Sequence, residues 1–346
     1  MIVMGIETSC DETAVSIVEK KKKNKKGKIL GEIIHSQIIS HKPFGGVVPE
    51  ISSREHIKYL DSIVKQTLKK ANVNLQDINA FASTAGPGLL GGLLIGTNYC
   101  KSLSLALKKP FFAINHLQAH ALLPRMDRSY LNFPFLVLLI SGGHTQILLA
   151  KNYNHFDIWG TTLDDALGEA FDKTAKLLEL DYPGGPQIEK FARLGNSRKI
   201  INFPRPLNKK KNCDFSFSGL KTAVRKQVLQ NQLSRQRKID IAYNFQNAVL
   251  DCLVDRCNYA LSLYKKKISD SGYFVISGGV ASNLKIRNSL KRLSHSNNFK
   301  LIVPDPKHCV DNATMIAWTG IERITAGEKG DSLSFHPKPR WPLNSL

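Results

Sequence analysis

Leu139-Ile140-Ser141-Gly142-Gly143-His144-Thr145 runs from an apolar strand into a turn of small residues. In such a turn, backbone N–H groups approach an anion with no side chain between, and glycine tolerates the φ values that a phosphate nest needs. Two more segments share the design. Gly5-Ile6-Glu7-Thr8-Ser9-Cys10-Asp11-Glu12 stands near the start, and Val275-Ile276-Ser277-Gly278-Gly279-Val280-Ala281-Ser282-Asn283 near the end. Taken singly, a Gly-Gly pair after a strand is most often a plain turn. The order of the three says more: a hairpin with acidic residues, a hairpin with hydroxyl and glycines, then a late strand-Gly-Gly-helix. No G-x-x-x-x-G-K-[ST] occurs, which excludes a P-loop.

Outward from these turns, residues 1–6, 14–18 and 29–39 alternate apolar runs with turns, as a β-meander does. Residues 52–71 then place Ile57, Leu60, Ile63, Val64 and Leu68 at helical spacing. A strand at 78–84, a tight turn at Gly86-Pro87-Gly88 and an apolar helix at 89–107 follow. A second cycle starts with strands at 135–141 and 145–150, continues with helices at 166–178, 187–194 and 239–263, and reaches a strand at 273–277 and a helix at 281–293. The pattern predicts an α/β fold of two related lobes, each opening on a hairpin and continuing in strand-helix units. In its three turns the chain resembles the actin, sugar-kinase and Hsp70 superfamily, whose duplicated ribonuclease-H-like lobes hold a nucleotide in the cleft between them. The lobes are expected at 1–112, completed by about 323–346, and at 113–322.

At 346 residues and 42% hydrophobic, the chain buries a substantial core. Residues 1–6 run directly into polar Glu7-Thr8-Ser9, with no secretory leader, and the longest apolar run, 133–140, is far short of the roughly 20 residues a membrane helix needs. Six cysteines without a C-x-x-C pair read as reduced thiols, so a cytoplasmic location and no membrane association are expected. The formal charge of +21 is partly local, with thirteen lysines in the runs 20–28, 209–211 and 265–267. A basic surface attracts polyanions, and a lysine-biased composition that merely solvates loops accounts for the charge equally well.

His116-Leu117-Gln118-Ala119-His120 spaces two imidazoles so that a helix directs both from one face. Asn115 suits an N-cap, and Pro124 limits the helix to a few turns. A third ligand comes from elsewhere: Asp311, just before the apolar stretch 313–320, is the candidate, and Asp305 is an alternative. Two histidines and a carboxylate suit iron as well as zinc.

With these pieces assembled, the sequence resembles the tRNA threonylcarbamoyladenosine transferase family, formerly termed O-sialoglycoprotein endopeptidase, along essentially its whole length. The first turn, Gly45-Gly46-Val47-Val48-Pro49-Glu50, Thr84-Ala85-Gly86-Pro87-Gly88 and the histidine pair carry the resemblance in the first part. Ser141 to Thr145, Gly168-Glu169-Ala170-Phe171-Asp172-Lys173, Tyr182-Pro183-Gly184-Gly185-Pro186, Phe215-Ser216-Phe217-Ser218-Gly219-Leu220-Lys221-Thr222 and Pro339-Arg340-Trp341-Pro342 carry it in the rest. The resemblance implies transfer of a threonylcarbamoyl group from threonylcarbamoyl-AMP to N6 of adenosine 37, beside the anticodon, in tRNAs reading ANN codons, with release of AMP. It implies that His116, His120 and Asp311 hold one Fe(2+), and that Leu139, Ile140, Ser141, Gly142, Gly143, Asp172, Gly185 and Asn283 bind the adenylate. Glu189 stands where many members carry an aspartate that touches the ribose. The partners it implies are a threonylcarbamoyl-AMP synthase, an inactive paralogous subunit and a P-loop ATPase subunit.

Chemically, transfer from a mixed anhydride needs positioning and charge stabilisation more than covalent help, because AMP is already a good leaving group. Asp11 or Glu12 is the candidate acceptor of the N6 proton. An actin-like kinase or ATPase is the rival, but it holds magnesium through carboxylates and water rather than through a histidine pair. The glycoprotease reading fails because Leu117 stands where H-E-x-x-H requires its glutamate base.

Overall fold

Side-chain alternation fixes the first sheet. In β1 (Ile2–Glu7), Met4 and Ile6 join Leu60, Ile63 and Val64 of the helix Pro49–Ala71 in one core. Gly5, between them, points to the opposite face, where a Cβ would stand 2.4 Å from the Ala313 carbonyl oxygen. A residue without a side chain therefore lets the helix Ala313–Thr325 lie directly on the strand. β1 pairs antiparallel with β2 (Glu12–Lys20), and β2 with β3 (Gly27–Ser36). β4 (Ala80–Gly86) adds parallel to β1, and β5 (Phe111–Asn115) parallel to β4. Parallel neighbours need crossovers. The helices Pro49–Ala71 and Leu90–Leu107 supply them, giving the order β3-β2-β1-β4-β5.

The same plan recurs in a second sheet. β6 (Phe135–Ile140) pairs antiparallel with β7 (Thr145–Ala150), and β8 (Phe156–Thr161) lies next to β7. β9 (Gly272–Ser277) pairs parallel with β6, and β10 (Phe299–Ile302) with β9. The order is β10-β9-β6-β7-β8, the first sheet's topology repeated. Its core is built on the 33-residue helix Arg235–Lys267, whose Ile241, Phe245, Val249 and Leu253 recur at helical spacing. Phe245 meets Phe171 edge to face at 5.4 Å.

The computed structural model describes residues 1–21, 26–196, 198–230 and 232–346. Residues 22–25 of the lysine run 20–28 lie outside the described residues. The chain separates into two units, Met1–Phe133 with Lys151–Phe156 and Val310–Leu346, and Pro134–Ala150 with Asp157–Cys309. This corrects the expected boundaries at 112/113 and near 322/323. The chain stays with the first unit beyond β5, because the Asn115 amide donates to the Trp341 carbonyl and the Gln118 amide to the Tyr153 carbonyl. It returns before residue 313 because Gly5 seats the helix that begins there. β5, β8, β10 and the helix Ser218–Leu229 have no counterpart among the expected elements. The three strands are short, and the helix opens within a stretch that reads as a Phe-rich loop. Among the described residues, all six cysteines are free, and no helix is long and apolar enough to cross a membrane.

Candidate metal centre and phosphate turns

His116 and His120 stand on the helix His116–Leu122, every residue of which is buried. Asn115 caps it as expected, its side-chain oxygen accepting from Leu117 N at 2.9 Å and Gln118 N at 3.2 Å. Asp311 comes from the segment before the helix Ala313–Thr325, and Asn312 caps that helix through Met315 N at 2.9 Å. The candidate ligand atoms of His116, His120 and Asp311 lie within 4.8 Å of one another. Both Nε2 atoms face one Asp311 oxygen, from 3.4 Å for His116 and 3.0 Å for His120. Asp305, the alternative, instead caps the turn Pro306–His308 in the second unit.

Behind this triad, His116 Nδ1 lies 3.1 Å from Glu7 Oε2 and 3.3 Å from Ser9 Oγ. Burial pulls the His116 imidazole downward, but Asp311 and Glu7 outweigh it and hold its pKa well above the ordinary 6.5. Burial likewise pushes Glu7 and Asp311 upward, and in both the facing histidine wins, leaving each carboxyl below its usual range. Two imidazoles and a carboxylate converging from two helix boundaries are a donor set that fits a borderline divalent ion with open positions, iron or zinc.

Asp11 lies in the turn between β1 and β2 and Glu12 begins β2, and contacts hold this turn from several sides. Ser52 Oγ donates to the Cys10 carbonyl, and His56 Nε2 lies 3.1 Å from the same oxygen. Gln37 N donates to the Asp11 carbonyl at 2.9 Å, and Thr8 Oγ1 to the Gly92 carbonyl at 2.8 Å. At Gly92 a Cβ would lie 2.1 Å from the Thr8 carbonyl oxygen, so close approach requires glycine there. Burial, then Asp11 and Asp311, push the Glu12 carboxyl well above its ordinary 4.5. A carboxyl raised in this way is the stronger base.

In the second unit the turn after β6 is open. Gly142 and Gly143 are exposed, and a Cβ at either meets nothing within 4 Å. Ser141 closes the turn, its N–H donating to the His144 carbonyl at 2.8 Å and its carbonyl accepting from Gly168 N at 3.1 Å. Gly168 opens the helix Leu167–Leu177, which carries Asp172; Asp172 Oδ1 accepts from Gly184 N at 2.7 Å. Gly184 in turn begins the helix Gly184–Leu194, which holds Gly185 and Glu189. Glu189 Oε1 accepts from Leu284 N at 3.0 Å and from Arg193 at 2.8 Å. Asn283 is a buried N-cap, accepting from Ile286 N at 3.0 Å and donating to Gln246 Oε1 at 2.9 Å. Ser141, Asp172, Gly185, Glu189 and Asn283, dispersed over 143 positions of sequence, are thus linked element by element within one unit.

Phe215 and Phe217 stack at 5.9 Å in the core, so packing accounts for them, while Lys221 Nζ stands 3.9 Å from Asp165. Asp164 is a residue the sequence gave no reason to select. It accepts from Phe217 N at 2.7 Å and Ser218 N at 3.2 Å, fixing the start of the helix Ser218–Leu229 from 54 positions away. Glu7 is a second: it lies in the first turn motif, but its role there is visible only once β1, β4 and the histidine helix are assembled.

A sequence profile described as TsaD, tRNA N6-adenosine threonylcarbamoyltransferase, matches residues 28–318. The chain belongs to this family. A curated relative from Rhizobium etli, named tRNA N6-adenosine threonylcarbamoyltransferase, is 49% identical over 352 residues, covering 100% of this chain and 95% of the relative. One of the same name from Bartonella bacilliformis is also 49% identical, covering 99% of this chain and 96% of the relative. Membership makes the chain a transferase of tRNA processing. Among solved structures, the HypF of T. kodakarensis is similar with a TM-score of 0.61 at 12% identity, over 94% of this chain and 48% of that one. The ROK hexokinase of Thermus thermophilus is similar with a TM-score of 0.51 at 13% identity, over 94% of this chain and all of that one. At such identities the likeness shows the fold alone, the actin-like duplication that the two sheets display in their strand order.

Proposed function

We propose that the protein transfers the threonylcarbamoyl group of threonylcarbamoyl-AMP to N6 of adenosine 37 in tRNAs reading ANN codons, releasing AMP. Within the family membership, one observation carries the reading: His116, His120 and Asp311 converge in the same unit as the turn that holds Asp11 and Glu12. His116, His120 and Asp311 would hold an ion, Fe(2+) or else zinc or another divalent cation, whose positive charge would polarise a carbonyl or phosphate oxygen. Asp11 or Glu12 takes the proton from N6 as the C–N bond forms and the bond from the carbonyl carbon to the AMP oxygen breaks. The backbone N–H groups of Gly142 and Gly143 receive the phosphate, on a turn that Leu139, Ile140 and Ser141 hold in place at the end of β6. Asp172, Gly185, Glu189 and Asn283 orient the rest of the adenylate.

This reading places the enzyme in the cytoplasm, working with a threonylcarbamoyl-AMP synthase, an inactive paralogous subunit and a P-loop ATPase subunit. It is tested by an in-vitro assay with purified threonylcarbamoyl-AMP, unmodified tRNA and those partners, comparing the wild type with His116→Ala. Loss of transfer in the variant supports the metal's part, and undiminished transfer removes it. Glu12→Gln and Asp11→Asn in the same assay assign the base, since the variant that loses turnover while keeping substrate affinity identifies it.

A further inference from the structure

We propose that Glu7 is a positioning residue that orients His116 toward the metal and ties that ligand to the turn carrying Asp11 and Glu12. This inference rests on the metal reading above. An imidazole that gives its Nε2 lone pair to an ion carries its proton on Nδ1, and that N–H needs an acceptor. Glu7 Oε2 lies 3.1 Å from His116 Nδ1, and Glu7 is only 1% exposed. A carboxylate buried so deeply is expensive unless donors surround it. Glu7 has them: Oε1 accepts from Ser9 N at 2.6 Å, and Oε2 also accepts from Thr84 Oγ1 at 2.5 Å.

These contacts give Glu7 two duties. One oxygen holds the backbone of the turn that leads into Asp11 and Glu12, and the other holds the ligand ring, so turn and ligand share one support. Thr84, at the end of β4, fixes the orientation of that support. His120 differs: its Nδ1 is buried and has no hydrogen-bond partner among the described residues, so no such carboxylate braces its ring there. The two histidines are therefore unequal ligands, with His116 braced by a carboxylate and His120 held by its helix and by Asp311.

Glu7→Gln tests this, because a carboxamide has one acceptor oxygen and cannot serve both Ser9 N–H and His116 Nδ1–H. Cobalt(II) is titrated into the metal-free full-length chain against a chelating dye, its visible absorption is recorded, and the thermal midpoint of the metal-free protein is measured. The wild type is expected to bind one cobalt per chain, and His116→Ala to lose it. Glu7→Gln is expected to bind about 10–100-fold more weakly, with an altered cobalt spectrum. Thr84→Val, which removes one of the hydrogen bonds orienting Glu7, is expected to weaken binding by a smaller factor. If the wild type and His116→Ala bind alike, the metal reading itself falls. If only His116→Ala loses cobalt and Glu7→Gln binds as the wild type does, the Glu7 inference is overturned and the metal reading stands. Should Glu7→Gln fail to fold, unchanged cobalt affinity in Thr84→Val overturns the inference.

Discussion

The turn between β1 and β2 and the turn between β6 and β7 hold the same position in two copies of one topology, yet they are built for opposite charges. The first is acidic and mostly buried, and hydrogen bonds from Ser52, Gln37 and His56 converge on its backbone. The second is a Ser-Gly-Gly turn whose glycines are exposed and have free space where side chains would stand. In the first, the Cys10 and Asp11 carbonyls are already taken, and carboxylates are what the turn offers. In the second, backbone N–H groups are what it offers, and an anion is the partner they suit. Duplication supplied the scaffold, and under the proposed function the content of each turn gives the copies separate tasks: metal and proton transfer in one, adenylate in the other.

The strongest way to break this division is to remove the carboxylate that completes the metal set. Asp311→Ala is expected to lose the bound ion and to lower transfer at least about 100-fold, the upper range already reached when an outer-shell partner is lost. Metal content by elemental analysis and turnover with saturating substrates check it. If the ion is lost while transfer persists, metal and turn act independently and the comparison fails. Next in size is a pair of glycine substitutions. Gly92→Ala drives a methyl to 2.1 Å from the Thr8 carbonyl oxygen and is expected to destabilise the protein by about 1–3 kcal/mol, read by chemical denaturation. At Gly143 a Cβ meets nothing within 4 Å, so in Gly143→Ala stability should be unchanged while adenylate affinity falls about tenfold, or about 1.4 kcal/mol. A Gly143→Ala protein that binds adenylate normally would show that the second turn is only a turn.

How much of this was legible in the sequence follows from which interactions are local. The histidine pair, the Asn115 cap and the three glycine turns are set within a few residues, and their reading needed only spacing and side-chain chemistry. Asp311 lies 191 positions from His120, and nothing local joins them; the family resemblance selected Asp311, while the residues alone left Asp305 open. Glu7 carried no signal, because a carboxyl at the end of a buried strand becomes informative only when Thr84 and His116 are brought to it. The lobe boundary was misplaced for a similar reason. Chain order suggests a break after β4 and its helix, whereas Asn115 and Gln118 bind the segment to distant residues of the first unit.

The smallest expected effect concerns the support of the first turn rather than its chemistry. His56 is fully buried: Nδ1 lies 2.7 Å from Thr13 Oγ1 and 3.2 Å from Gln37, and Nε2 faces Ser52 and the Cys10 carbonyl. Burial disfavours the charged ring more than the Cys10 carbonyl, Glu7 and Asp11 favour it, so its pKa in the fold lies below the 6.5 of a free imidazole. The unfolded chain then takes up the proton first as the pH falls. Stability from this site is complete above about pH 6.5 and is lost as the pH drops through the folded pKa. Denaturation midpoints measured over that window should fall more steeply in the wild type than in His56→Asn, and the two slopes should agree above pH 6.5. Equal acid sensitivity of wild type and variant would mean that the first turn is held by its backbone contacts alone.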